Sequence, residues 1–121
     1  MESILPVDNQ MAGFDDEKLL KLLSHPSGPI RARAIPTLGI RIGKSIHLKE
    51  ALFTAAADPD NLALKFYAFI KVAWVAAITI LDNGRNDDFL RLKKVVTQWP
   101  ENEQSGFNSC IKGYRNFDKL V

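Results

Sequence analysis

A single cysteine, Cys110, occurs in 121 residues. One thiol cannot form an intramolecular disulfide, so the fold must rest on its core, and the composition fits a reducing, cytoplasmic setting. Long apolar runs are missing as well. The richest stretch, residues 62–81, is interrupted by Lys65 and Lys71, leaving only Val72–Leu81 uncharged. That is about half of the roughly 20 residues a membrane-spanning helix needs, so the expectation is a buried central helix and no membrane partner. An excess of one charge is lacking too. With 16 Lys and Arg against 14 Asp and Glu, the net charge is +2, which neither demands nor excludes nucleic acid.

The motifs of common chemistries are also missing. His25 and His47 stand at no metal-ligand spacing from each other or from Cys110, and no Gly-rich phosphate loop, nucleophile elbow or triad pattern is present. Four carboxylate pairs, Asp15/Asp16, Asp58/Asp60, Asp87/Asp88 and Glu101/Glu103, each fall at an expected helix start. Capping and the helix dipole account for acids there. Cys110 shares a stripe with Phe107 and Ile111 and reads as a small core residue. The expectation is no catalytic residue, no metal, no cofactor and no enzyme. No segment alternates convincingly enough for a strand, and no Asn-Gly joins two β-branched runs.

What is present is an ordinary globular composition, 46% apolar and 25% charged, in a length that makes one domain. Residues 1–14 lack a basic start and an apolar run of signal length, and are expected to be a tail or a loosely docked cap. The rest carries an internal echo. Ser24-His25-Pro26-Ser27-Gly28-Pro29-Ile30-Arg31 lies over Asp58-Pro59-Asp60-Asn61-Leu62-Ala63-Leu64-Lys65 at a shift of 58 − 24 = 34. Ala34 then falls on Ala68, Ile35 on Phe69 and Leu38 on Val72. A weaker third copy starts at Trp99-Pro100, at a shift of 99 − 58 = 41, and places Phe107, Ile111 and Lys112 over Phe66, Ile70 and Lys71. A polar turn followed by a helical apolar stripe, repeated at about this period, predicts stacked helix pairs.

Six helices follow from the pattern. Asp15-Asp16-Glu17 opens the first, Pro29 the second and Ser45 the third. Pro36 interrupts the hydrogen-bond ladder of the second and predicts a bend. Asp58-Pro59 precedes a fourth, expected to run from about 61 to 81 and to be the longest and most buried. Asn86-Asp87-Asp88 opens a fifth, with Phe89, Leu92, Val96 and Trp99 on one stripe, and Pro100-Glu101 a sixth. Together they predict an all-α fold of three stacked antiparallel helix pairs, at about 15–42, 45–81 and 86–115.

The stretch from Leu20 to Gly39, with its leucine helix, prolyl turn, Ile30-Arg31 pair, alanines and Leu38-Gly39, resembles a HEAT-type repeat. Asp58-Pro59 and Leu64-Lys65 look like the same turn and pair with Lys for Arg. The turn is one residue longer than is usual for such repeats, and Ser24 stands where Asp is typical. The resemblance covers about residues 16–114. It implies a HEAT-like α-solenoid, a right-handed superhelix, and a scaffold or adaptor role in binding another protein. One branch, bacterial HEAT-like proteins related to phycobilisome lyases, implies instead an accessory role in bilin handling. No lyase-specific residue carries over. In a solenoid the second helices line one surface. Arg33, Lys71, Lys112 and Arg115 are expected to give that surface its charge and Tyr67 an anchor, whereas Arg31 and Lys65 are expected to be solvated or to pair with the turn carboxylates. Such a basic strip suits an acidic protein first, a tetrapyrrole propionate second and a nucleic-acid backbone last. Trp74, Val75 and Ile78 are expected on a residual apolar face, the contact of a homodimer.

Overall fold

The structure, a computed structural model, describes residues 9–120. Most of the tail or cap expected at residues 1–14 lies outside the described residues. Of the remainder, Met11 is buried in the core, in a short 3-10 turn at Met11–Gly13. Among the described residues the chain forms seven α-helices and one small antiparallel hairpin.

Capping chemistry sets the helix starts. Asp15 accepts a hydrogen bond from the Lys18 amide (2.8 Å) and opens α1, Asp16–Leu22. Ser27 and Ser45 cap α2, Gly28–Gly39, and α3, Ile46–Ala57, each accepting from the third amide onward. Asp58 caps the short α4, Pro59–Ala63. Each cap satisfies an amide that the helix itself leaves open. Helix α5 is Val72–Asn83, α6 Asn86–Thr97 and α7 Glu101–Ile111. Pro36 lies within α2, and the helix continues past it to Gly39.

The core is centred on α5, whose residues Val72–Leu81 are all buried. It packs against α2 on one side and α3 on another, with α6 resting on α3 and α5 and α1 on α2. A helix enclosed by several neighbours has no polar face to spare, which is why ten consecutive residues here carry no charge. The α2–α5 approach is close. A Cβ at Gly39 would sit 2.2 Å from Thr79 Cγ2.

The helix expected over 61–81 is not continuous. The chain leaves α4 at Leu64 in an extended conformation and forms β1, Lys65–Tyr67, and β2, Ile70–Lys71, before entering α5. The Val72 amide closes the hairpin by donating to the Leu64 carbonyl at 2.9 Å. The physical reason lies in Lys65–Lys71. Three aromatics, an isoleucine and two lysines are poor material for a helix that must be buried on most sides, and good material for strands. The turn was hidden because Ala68 makes it at φ 51, a conformation uncommon outside Gly, Asn and Asp. The strand β1 also lies against the start of α2, where a Cβ on Gly28 would meet the Lys65 carbonyl oxygen at 2.5 Å.

The register of the internal echo is therefore not kept in space. Ile35 is buried in α2, but Phe69, on which it falls, is exposed at the hairpin turn. The counterpart of α2 in the packing is α5, a helix of equal length displaced past the hairpin.

Two buried hydroxyls, Thr37 Oγ1 and Thr79 Oγ1, have no hydrogen-bond partner among the described residues. An unpaired buried hydroxyl costs about 1–3 kcal/mol. Thr79→Val keeps the shape and removes the hydroxyl, so urea unfolding should show a gain of about 1 kcal/mol. A loss would mean that this hydroxyl is hydrogen-bonded in solution.

Candidate functional site

Along α6 two stripes run side by side. Phe89, Leu92 and Val96 face the core and are buried. Arg91, Lys94, Val95 and Gln98, at i, i+3, i+4 and i+7, form the next stripe and make one wall of an open groove of about 710 Å³. The opposite wall is Ala57 at the end of α3 with Pro59, Leu62 and Ala63 of α4. Trp99 and Pro100 close the floor with the first turn of α7, through Asn102 and Glu103.

Three backbone carbonyls beside this groove are already used. Trp99 Nε1–H donates to the Ala56 carbonyl at 2.9 Å. Gln104 Nε2–H donates to the Trp99 carbonyl at 2.8 Å, and Lys71 Nζ to that of Leu62 at 3.1 Å. Helix C-termini ordinarily leave carbonyls open. Here side chains cap them, so the exposed lining is chiefly apolar.

The hairpin adjoins the groove through Glu103. Its carboxylate receives Lys71 Nζ at 3.0 Å and Trp74 Nε1–H at 3.1 Å, with the Lys71 and Glu103 side chains only 19% and 12% exposed. An aromatic series follows the same path. Phe69 meets Trp74 edge-on at 6.4 Å, Trp74 meets Phe107 at 6.1 Å, and Phe107 meets Trp99 at 5.2 Å between centroids. Such edge-to-face pairs add to the burial term. Gly106 allows the fit, since a Cβ there would be 2.9 Å from Trp74 Cη2. At the turn, Tyr67 is 72% and Phe69 63% exposed.

The charges on the α6 wall differ in availability. Arg91 forms a two-pronged ion pair with Glu50, with Nη2–Oε1 at 2.8 Å, and lies over the Phe53 ring at 4.1 Å. The Arg91 hydrogen bonds hold the Glu50 carboxyl below its ordinary range, and Glu50 in turn raises Arg91. The Lys94 ammonium has no such carboxylate among the described residues.

Of the residues expected on the partner surface, Tyr67 and Lys71 share the hairpin, and the others lie elsewhere. Arg33 is half-buried on α2 and donates to Gln10 Oε1 at 3.4 Å. Lys112 is exposed at the C-cap of α7, and Arg115 is half-buried in the following turn. Lys71 is a correction: its charge is committed to Glu103, because a lysine at the base of this hairpin points toward the first turn of α7. Trp74, Val75 and Ile78 are a second correction. Trp74 is 4% exposed and the other two fully buried, so they form no free face. Arg31 donates to Asn61 Oδ1 (2.9 Å) and to the His25 carbonyl, neutral acceptors rather than the turn carboxylates expected.

His25 Nδ1 accepts from the Ser27 amide at 3.0 Å, and His47 is exposed. Among the described residues no three His, Cys, Asp or Glu side chains gather around a common point. Burial raises the Cys110 thiol above its ordinary range, which disfavours the reactive thiolate. No helix among the described residues is long and apolar enough to cross a membrane.

The sequence reasoning missed the groove. A signal was available: Arg91, Lys94, Val95 and Gln98 repeat at helical spacing beside the core stripe, and Pro59, Leu62 and Ala63 do the same on α4. Their juxtaposition depends on how α3 and α6 pack. No family model, curated protein or solved structure matches the chain, so the geometry of the groove and hairpin carries the functional reading.

Proposed function

We propose that this protein is a non-catalytic interaction module that binds another protein through the α4–α6 groove and the adjoining hairpin. In this reading the helices are the layers of a HEAT-like α-solenoid, as the resemblance at residues 20–39 implies, and the chain works as a scaffold or adaptor in the cytoplasm. One observation carries the proposal. An open apolar groove lies beside a hairpin that presents Tyr67 and Phe69 to solvent, and exposed aromatics next to a pocket are the usual composition of a binding hot spot.

The test is capture from the native source with the wild-type chain, Tyr67→Ala and Ala63→Trp. Tyr67 and Ala63 are both exposed, so thermal melts should show little loss of stability. A protein recovered by the wild type should fall by about tenfold or more with each variant, the size of a hot-spot loss. Equal recovery by all three chains would remove the groove and hairpin as the working surface.

A further inference from the structure

We propose that Asn83–Gly84 is a self-modification site, in which the Gly84 nitrogen attacks the Asn83 carboxamide, and that the last turn of α5 and the turn after α7 hold it shut in the folded chain.

Asn83 is followed by glycine, alone among the asparagines of the chain. Glycine has no Cβ to hinder approach and its backbone is permissive, so its nitrogen can reach the preceding side chain. Attack on Asn83 Cγ closes a succinimide ring. The new C–N bond replaces the bond to Nδ2, and the Gly84 amide proton leaves with the departing ammonia. Water then opens the ring at either carbonyl, giving aspartate or isoaspartate, the latter with an added methylene in the main chain.

Packing demands the labile pair. Gly84 ends α5, and a Cβ there would lie 2.7 Å from the Ile80 carbonyl oxygen and 3.0 Å from Asp88 Cβ. The tight passage from α5 into α6 therefore requires glycine, and the chemical lability comes with it.

In the fold both reacting groups are engaged. The Gly84 amide donates to the Ile80 carbonyl at 2.7 Å, and Asn83 Nδ2–H donates to that of Thr79 at 2.9 Å. Helical side chains lean toward the N-terminus, so this carboxamide lies back over the preceding turn while the nucleophile lies ahead of it. Attack requires that both hydrogen bonds break and that Asn83 leave its helical conformation. The turn after α7 opposes such opening. Tyr114 O–H donates to Asp82 Oδ1 at 2.6 Å and Asn116 Nδ2–H to the Leu81 carbonyl at 2.9 Å, which ties down the two residues before Asn83.

Conversion weakens the turn that prevented it. An aspartate at this position has no amide to donate to the Thr79 carbonyl, and its charge stands at a helix C-terminus, where the dipole disfavours an anion. Exposed Arg85 offsets part of that charge.

The experiment incubates the full chain in mildly alkaline buffer, with and without concentrated guanidinium chloride. Digests are followed by mass spectrometry for the mass gain of amide-to-acid conversion. Unfolded wild type should convert at Asn83 ahead of every other asparagine, and folded wild type at least about tenfold more slowly. Tyr114→Phe and Asn116→Gly, the latter keeping the φ of 62 accessible, are compared in the folded state. Each should speed conversion by about two- to tenfold, the effect of one lost hydrogen bond on an opening equilibrium. Hydrogen exchange in those variants should rise at Gly84 and not in α3. Asn83→Asp, which mimics one product, should melt about 2–5 °C lower.

Another asparagine converting first in the unfolded chain would remove the site. Equal rates in the folded and unfolded chains would remove the gate. Rates unchanged in both turn variants, or exchange rising equally in α3, would overturn the latch and leave global unfolding in control. An Asn83→Asp melt equal to that of the wild type would refute the weakening of the turn by its product.

Discussion

Glu103→Ala should lower the free energy of unfolding by about 2–4 kcal/mol. Removing one partner of a buried ion pair typically costs about 3–5 kcal/mol, and the slight exposure of Lys71 and Glu103 trims that figure. The loss is large because the Trp74 indole N–H is left without an acceptor and the Lys71 ammonium keeps only the Leu62 carbonyl. Glu103→Gln should cost less, since an amide oxygen still accepts from Trp74. Lys71→Met should also cost less, since Glu103 retains the indole. Urea unfolding of wild type, Lys71→Met, Glu103→Ala and the double variant forms a cycle. The coupling should be about 1–3 kcal/mol, the usual range for residues in one network. A cost below about 1 kcal/mol for Glu103→Ala would mean that the pair behaves as an ordinary surface bridge.

The functional consequence concerns the hairpin. Lys71 and Phe69 reach the body of the fold through Glu103 and Trp74, so Glu103→Ala should speed hydrogen exchange at Lys65–Lys71 before it affects α5. A Lys71 variant that loses a partner would then report a displaced hairpin as much as a missing charge.

Gly39→Ala should be destabilising by about 1–3 kcal/mol, although alanine is the better helix former. The propensity gain is about 0.5–1 kcal/mol. Against it stands a Cβ placed 2.2 Å from Thr79 Cγ2, far inside the roughly 3.5–4.0 Å of a favourable carbon contact. Overpacking of this kind costs about 1–3 kcal/mol or more, and both partners lie in packed helices, so the clash wins. Thr79→Ser removes the offending methyl and leaves Thr79 Cβ at 3.7 Å, an ordinary contact. Adding it to Gly39→Ala should recover at least half the loss in thermal melts. No recovery would place the conflict at Asn83 Nδ2, which the new Cβ would meet at 3.0 Å.

Much of the helical content could be read from local chemistry. Asp15, Ser45 and Asp58 mark helix starts because a short oxygen-bearing side chain can reach an open amide within three residues, and each does so in the fold. Val72–Leu81 reads as buried because ten uncharged residues have no other stable place in a chain of this size. The stripe Phe89, Leu92 and Val96 predicts the inner face of α6 by spacing alone.

The hairpin was not legible, since Lys65–Lys71 runs into the apolar stretch of α5 with no Gly, Asn or Asp to signal a turn, and its turn uses Ala68 in a conformation seldom assigned to alanine. Nor could the sequence say that Lys71, which aligned with Lys112 as a surface charge, would be taken by Glu103. Ion pairing depends on where α7 starts relative to β2, a matter of packing between residues 32 positions apart in sequence.

From its sequence alone, this protein was determined to be a mostly helical chain with its most buried segment at Val72–Leu81 and its caps at Asp15, Ser45 and Asp58, because propensity, capping and periodicity act over a few residues. Only the tertiary structure decided that α4 would face α6 across an apolar groove, that Trp74, Val75 and Ile78 would be interior, and that Tyr67 would stand in solvent. Those outcomes depend on the relative placement of distant helices, which is set by the summed fit of side chains such as Gly39 against Thr79 and Gly106 against Trp74, and no local pattern encodes it.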